Sequence, residues 1–264
     1  MTDPDPKPHA APRPSFLRRL LKRKAFTIPA GIVLAIILLD AGNGLFTRKT
    51  LAAGPLDTTA VERIAVKGAA SRITITADPS RPFEARLTGE RSGWGAAWRS
   101  AWFAHDCTPG ASLVVNAGTL DVDTGRAPYD FGLDDCTLTL SANVRPEAAV
   151  MIDQKAAAIT LAGDFSSLDI RSDAGDVRVD GHADLISLSG AALRARIAFD
   201  TVRNNETIRL MGAMMEAGLT FPPGTAIAYL VEATASYIDS KLPNTPGAKP
   251  AVEIRGDMVH ATIR

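Results

Sequence analysis

Histidine and cysteine are scarce in this chain, with four and two residues among 264. His9, His105, His182 and His260 are scattered, and no two stand at the spacing of a zinc site. No nucleophile elbow, zinc-protease pair or phosphate loop occurs, and the AGNG at 41–44 lacks the strand-to-helix context that phosphate binding needs. These absences remove the common hydrolase and nucleotide-binding readings, and no cofactor is expected. Net charge is missing too, because 29 Lys and Arg balance 29 Asp and Glu. The balance is uneven along the chain: residues 1–46 hold seven basic and three acidic side chains, leaving 22 against 26 in the remainder. A body of net charge −4 lacks the basic footprint of a nucleic-acid partner.

Residues 1–24 form a basic tail that we expect to be disordered. Pro4, Pro6, Pro8, Pro12 and Pro14 remove amide donors, and Arg18, Arg19, Lys22, Arg23 and Lys24 follow. The next stretch, AFTIPAGIVLAIILLDAGNGLF at 25–46, would make about 33 Å of helix, close to the thickness of a bilayer's hydrocarbon core. Its uncharged part ends at Leu39, so either the bilayer thins there or Asp40 lies near the headgroups, where a carboxylate costs less than the roughly 2.5–3.5 kcal/mol of mid-bilayer. Cations are concentrated before the segment, and only Arg48 and Lys49 follow it closely. The expected topology is therefore a single pass through the cytoplasmic membrane, amino terminus cytoplasmic and body extracytoplasmic (periplasmic), with the lipid bilayer as partner of 25–46. A cleaved signal peptide, with small residues at Ala52 and Ala53, is the competing reading and exports the same body.

Beyond a linker at 47–59, period-two patterning takes over. VERIAVKG, SRITITAD, FEARLTGE, SLVVNA, TLDVDT and TLTLSANV alternate apolar with polar or small residues, as strands with one buried face do. Turn residues such as Gly68, Gly110, Gly118 and Gly125 separate them. The insertion at 91–106 differs, placing Trp94, Trp98 and Trp102 four apart. Those rings could plug an open end of the fold, dip into the outer leaflet or stack on sugar. Cys107 and Cys136 are a disulfide candidate for an oxidising compartment, two unpaired thiols being the alternative. Asp121, Asp123, Asp130, Asp134 and Asp135 make the most acidic stretch. Their spacing fits no calcium loop, so a solvated strand face is the plain reading beside cation binding or glycoside chemistry.

Most informative is a repeat of eighteen residues. Val150, Leu168 and Ile186 correspond, as do Ile152, Ile170 and Leu188; then Ile159, Val177 and Ala195, and Leu161, Val179 and Ile197. Such a unit cannot bury its apolar face alone, whereas stacking on a copy about 4.8 Å away satisfies backbone and side chains together. The expected fold is all-β, a β-solenoid with turns near Ala157, Gly175 and Leu193 and again near Gly163 and Gly181. Asp176 and Arg194, eighteen apart, should pair on its outside, and His182 should occupy a turn. The match fades after Phe199, KLPNTPGAKP reads as a flexible excursion, and AVEIRGDMVHATIR supplies a last pair of strands.

In VERIAVKGAASRITITAD, TLTLSANVRP, LDIRSDAGDVRVDG, LTFPPG and the closing AVEIRGDMVHATIR, residues 60–264 resemble the bacterial putative-adhesin domain family. The resemblance implies a right-handed, parallel β-helix-like solenoid outside the cytoplasm, tethered by one helix, with no catalytic residues to carry over. The expected role is a non-catalytic structural or binding module whose partner is an envelope protein or glycan. A signalling accessory docking a membrane protein and a polysaccharide-active enzyme are the alternatives.

Overall fold

The computed structural model describes residues 48–91, 110–125 and 136–264, all within the unit Thr47–Arg264. Every regular element among them is a strand: β1 (Arg48–Asp57), β2 (Arg63–Ala77), β3 (Glu84–Arg91), β4 (Ser112–Asn116), β5 (Thr119–Asp123), β6 (Cys136–Asn143), β7 (Ala148–Phe199), β8 (Thr207–Thr220), β9 (Ala228–Ser240) and β10 (Ala251–Ile263). The sheet is mixed, in the order β1-β3-β6-β2-β7-β8-β10-β9, with β4 and β5 on a side branch from β2. Residues 48–57, expected as part of a linker, instead form β1, paired antiparallel with β3 from Arg48↔Arg91 to Asp57↔Glu84. Residues 25–46, expected to span a membrane, lie outside the described residues, as do Trp94, Trp98, Trp102 and Cys107.

β7 explains the repeat. Its 52 residues wind past one another, since residues 149–163 pair in parallel with β2 (Ile64↔Val150, Ile73↔Ile159) while 185–198 pair with β8 (Ile186↔Ile208, Ala195↔Ala217). Two close backbone approaches place the passage 167–181 between them. Gly181 backs onto the carbonyl of Gly163, and Gly190 onto that of Ser172, each across eighteen residues. A Cβ at either glycine would run into that backbone, so only glycine lets adjacent passages close to ladder distance there. All twelve residues of the four apolar columns are buried, Val150 to Ile197, and they belong to one continuous core running from Val61 to Ile263. At roughly 1.5–3 kcal/mol per fully buried aliphatic side chain, these columns hold the passages together.

Ala157 and Leu193, read from sequence as turns, are buried bends inside the unbroken β7, opposite Ser71 and Met215 respectively. Phe165 and Ala183 add a further buried position on the next side of each passage. The fading of the repeat after Phe199 also has a cause. The next step in the ladder, Ile186↔Ile208, spans 22 residues rather than eighteen, and the step after it, Ile208↔Val252, spans 44 because β10 inserts between β8 and β9. The closing segment is thus not the last rung; β9 is. Nor is KLPNTPGAKP a free excursion. The Asn244 side chain accepts from the Tyr229 amide (3.0 Å) and donates to its carbonyl (2.9 Å), while Leu242 packs on the core.

Candidate functional site

Ladder register on the second arm of each passage brings Arg194, Glu216, His260 and Tyr237 into one outward-facing row across four neighbouring rungs. Beside it runs Ala192, Met214, Met258 and Ala235. Each row follows from strand alternation, which sends every second residue outward while Ala195, Ala217 and Ala261 point into the core. The two rows floor a shallow groove of about 780 Å³. Tyr237 is 66% exposed and meets the His260 ring edge-on, with centroids 5.2 Å apart at 66°. Met214 and Met258 are half exposed. Arg194 Nε donates to Glu216 Oε2 at 2.8 Å, and this guanidinium holds the Glu216 carboxyl below the usual range.

The groove therefore offers aromatic and thioether surface next to fixed hydrogen-bonding groups, the composition of a recognition surface. Sequence reading missed it. Arg194 was expected to pair with Asp176; its direct partner is Glu216 in the next rung, and Arg196 is the residue that approaches Asp176, at 3.9 Å. Asp176 still acts on Arg194 electrostatically, so the guanidinium lies near two carboxylates and hydrogen-bonds Glu216.

A second polar cluster is buried. His182 and Glu206 are both fully buried, His182 Nε2 lying 3.0 Å from Glu206 Oε1 and 3.6 Å from Asp184 Oδ1. Glu206 also accepts from the Arg203 amide, and from the Asn205 amide at 3.1 Å. Burial pushes the Glu206 carboxyl up, yet the amides of Arg203 and Glu206 itself, together with His182, outweigh it and hold the group below its ordinary range. His182, expected at a turn, belongs to the buried interior within β7 and lies edge-on to Phe199. Its Nδ1 has no hydrogen-bond partner among the described residues.

The acidic stretch is placed only in part. Asp121 and Asp123 project outward from β5, and Asp123 Oδ1 accepts the Gly125 amide at 2.7 Å, a turn-closing role. Asp130, Asp134 and Asp135 lie outside the described residues, as does His105. Cys136 opens β6 opposite Arg91 in the backbone register, while its proposed partner Cys107 is not described. Among the described residues no group of three or more His, Cys, Asp or Glu is arranged to hold a metal ion.

No family model matches the chain, and no curated protein does. Similar solved structures include a putative cell adhesion protein from Clostridium sporogenes, at 9% identity and TM-score 0.46, covering 83% of this chain and 100% of that one. A putative adhesin from Bacteroides fragilis is 11% identical at TM-score 0.38, over 81% of this chain and 95% of its own. Another, from Parabacteroides merdae, is 11% identical at TM-score 0.30, over 83% and 95%.

Proposed function

We propose that this chain is a membrane-anchored, extracytoplasmic, non-catalytic binding module of adhesin-like type, built on a right-handed β-solenoid. The observation that carries the binding reading is the exposed row Arg194, Glu216, His260 and Tyr237 flanked by Met214 and Met258, a recognition surface fixed on neighbouring strands rather than on loops. In-register parallel passages support the solenoid, and the apolar run at 25–46 with its preceding cations supports the anchor. Its partner is an envelope glycan or an envelope protein.

Immobilised full-length chain, with Tyr237→Ala and Met258→Asp variants beside it, tests this against purified envelope polysaccharide and against a solubilised membrane fraction. Binding to one probe that drops at least about tenfold in both variants, at unchanged melting temperature, supports the reading. Equal binding by wild type and variants to every probe overturns it. Glycan turnover abolished by Asp121→Asn overturns it in favour of a polysaccharide-active enzyme.

A further inference from the structure

The crossover at residues 200–206 is where the step between rungs lengthens from eighteen residues to 22, and its bonding is unusual for a loop. The Arg203 and Asn205 amides both donate to the Glu206 side chain. The Asn205 side chain reaches Asp184 Oδ1 at 3.2 Å, the Arg203 guanidinium reaches Asp164 at 3.1 Å, and the Asp200 amide donates to the Gly181 carbonyl at 3.3 Å. The Glu206 carbonyl then accepts the Ala251 amide at 3.0 Å, which fixes the start of β10. One buried carboxylate thus gathers the crossover, the corner at His182 and, through its own backbone, the strand that β9 depends on.

We propose that the Glu206 carboxylate is an acid-releasable latch, which fixes the 200–206 crossover and with it the register of β8, β10 and β9 on the eighteen-residue passages. Protonation turns an acceptor of three donors into a group with a proton of its own. Two crossover amides and the imidazole then lose a shared anion inside a site sealed from water. The charged and titratable groups around it are His182, Asp184 and Asp164 from β7, Asp200 and Arg203 on the crossover, and Lys249 ahead of β10, whose Nζ donates to Thr207 Oγ1 at 3.1 Å. Unlike those acids, Glu206 is fully buried, so its discharge weakens the acceptor that buried donors share and turns an O–H of its own among them.

Amide hydrogen exchange on the full chain, corrected for the intrinsic effect of pH on exchange, tests the latch. At about pH 7 the Arg203, Asn205 and Ala251 amides should exchange on the order of tenfold faster in Glu206→Gln than in wild type. Taking wild type down to about pH 3 should open the same three amides, while Ile73 and Ile159 in the paired strands stay protected. Arg203→Ala keeps its backbone amide and loses only the Asp164 pair, so it should keep the wild-type pattern. The latch is overturned if Glu206→Gln leaves the three amides protected, or if Arg203→Ala opens them as far. It is equally overturned if acid exposes strand and crossover amides of the wild type together. Should Glu206→Gln not fold, the wild-type acid series decides the question alone.

Discussion

At the β2 end of the stack, both arms of the outermost long rung are covered. Residues 63–67 pair with β5, which carries β4, while residues 72–76 pair with β6, which carries β3 and β1. At the β9 end only the first arm is covered among the described residues, by Asn244 bonding across Tyr229 and by Leu242 packed on the core. The second arm continues to Ser240 with Tyr237 exposed, and two of its three inward positions become polar, Ser236 following Val259 and Ser240 following Ile263, while Ile238, following Ala261, is apolar but exposed. One end is finished with additional strands; the other is finished by changing the side chains. The second solution leaves a strand whose flank can meet another molecule. The edge carries no Lys or Pro, and its two acids, Glu232 and Asp239, are already paired with Arg255 and Arg264.

Core truncation should separate the ends most strongly. Leu140→Ala, at a fully buried position of β6, should cost about 2–5 kcal/mol, whereas Ile238→Ala, on the exposed arm, should cost less than about 1 kcal/mol; urea unfolding of the full chain measures both. Equal losses would mean that the β9 end is as well packed as the other. Next in size is Asn143, whose amide donates to the carbonyls of Asp78, Arg81 and Pro82 and accepts from Thr76 and the Asp78 amide. Asn143→Ala leaves five partners behind and should cost about 1–3 kcal/mol. Asn244→Ala, on the exposed side of β9, should cost less than about 1 kcal/mol and raise exchange at the Tyr229 amide.

A titration sharpens the contrast further. Glu206 has a folded pKa below its unfolded one, so its stabilisation is complete above the ordinary glutamate pKa of about 4.3 and is lost as pH falls through the lower, folded value. Acid should therefore loosen the β8, β10 and β9 rungs before the β2 end, seen as a urea midpoint that falls less steeply with acid in Glu206→Gln. Smallest is Arg194→Ala at neutral pH. This pair is exposed and screened, so the melting temperature should move by less than about 2 °C.

The passages of β7 were legible because eighteen-residue spacing is a statement about the sequence itself, and alternation assigned Val150, Leu168 and Ile186 to one column without knowledge of a partner strand. β2 carries the same columns at a distance of 86 residues, where no fixed period announces it. The groove row was illegible for a like reason. Its members are separated by 22, 44 and 23 residues, and a ladder that visits β10 before β9 has no signature in local pattern. His182 read as a turn residue because single-residue propensity takes no account of a corner being roofed by Phe199 and the crossover. β1 read as a linker because TRKTLAAGPLDTTA has little alternation, and its pairing with β3 supplies what its own composition does not.

The insertion of β10 between β8 and β9 sets an order of events for a newly made chain. When β9 leaves the ribosome its seat does not yet exist, because the strand it rests on is encoded eleven residues downstream, from Ala251. Tyr237 therefore waits beside an unfilled gap until Ala251–Ile263 arrives. A stop placed before Ala251 would leave β8 as a bare edge and β9 with nothing to lie on, so the groove beneath Tyr237 is complete only once β10 has been made.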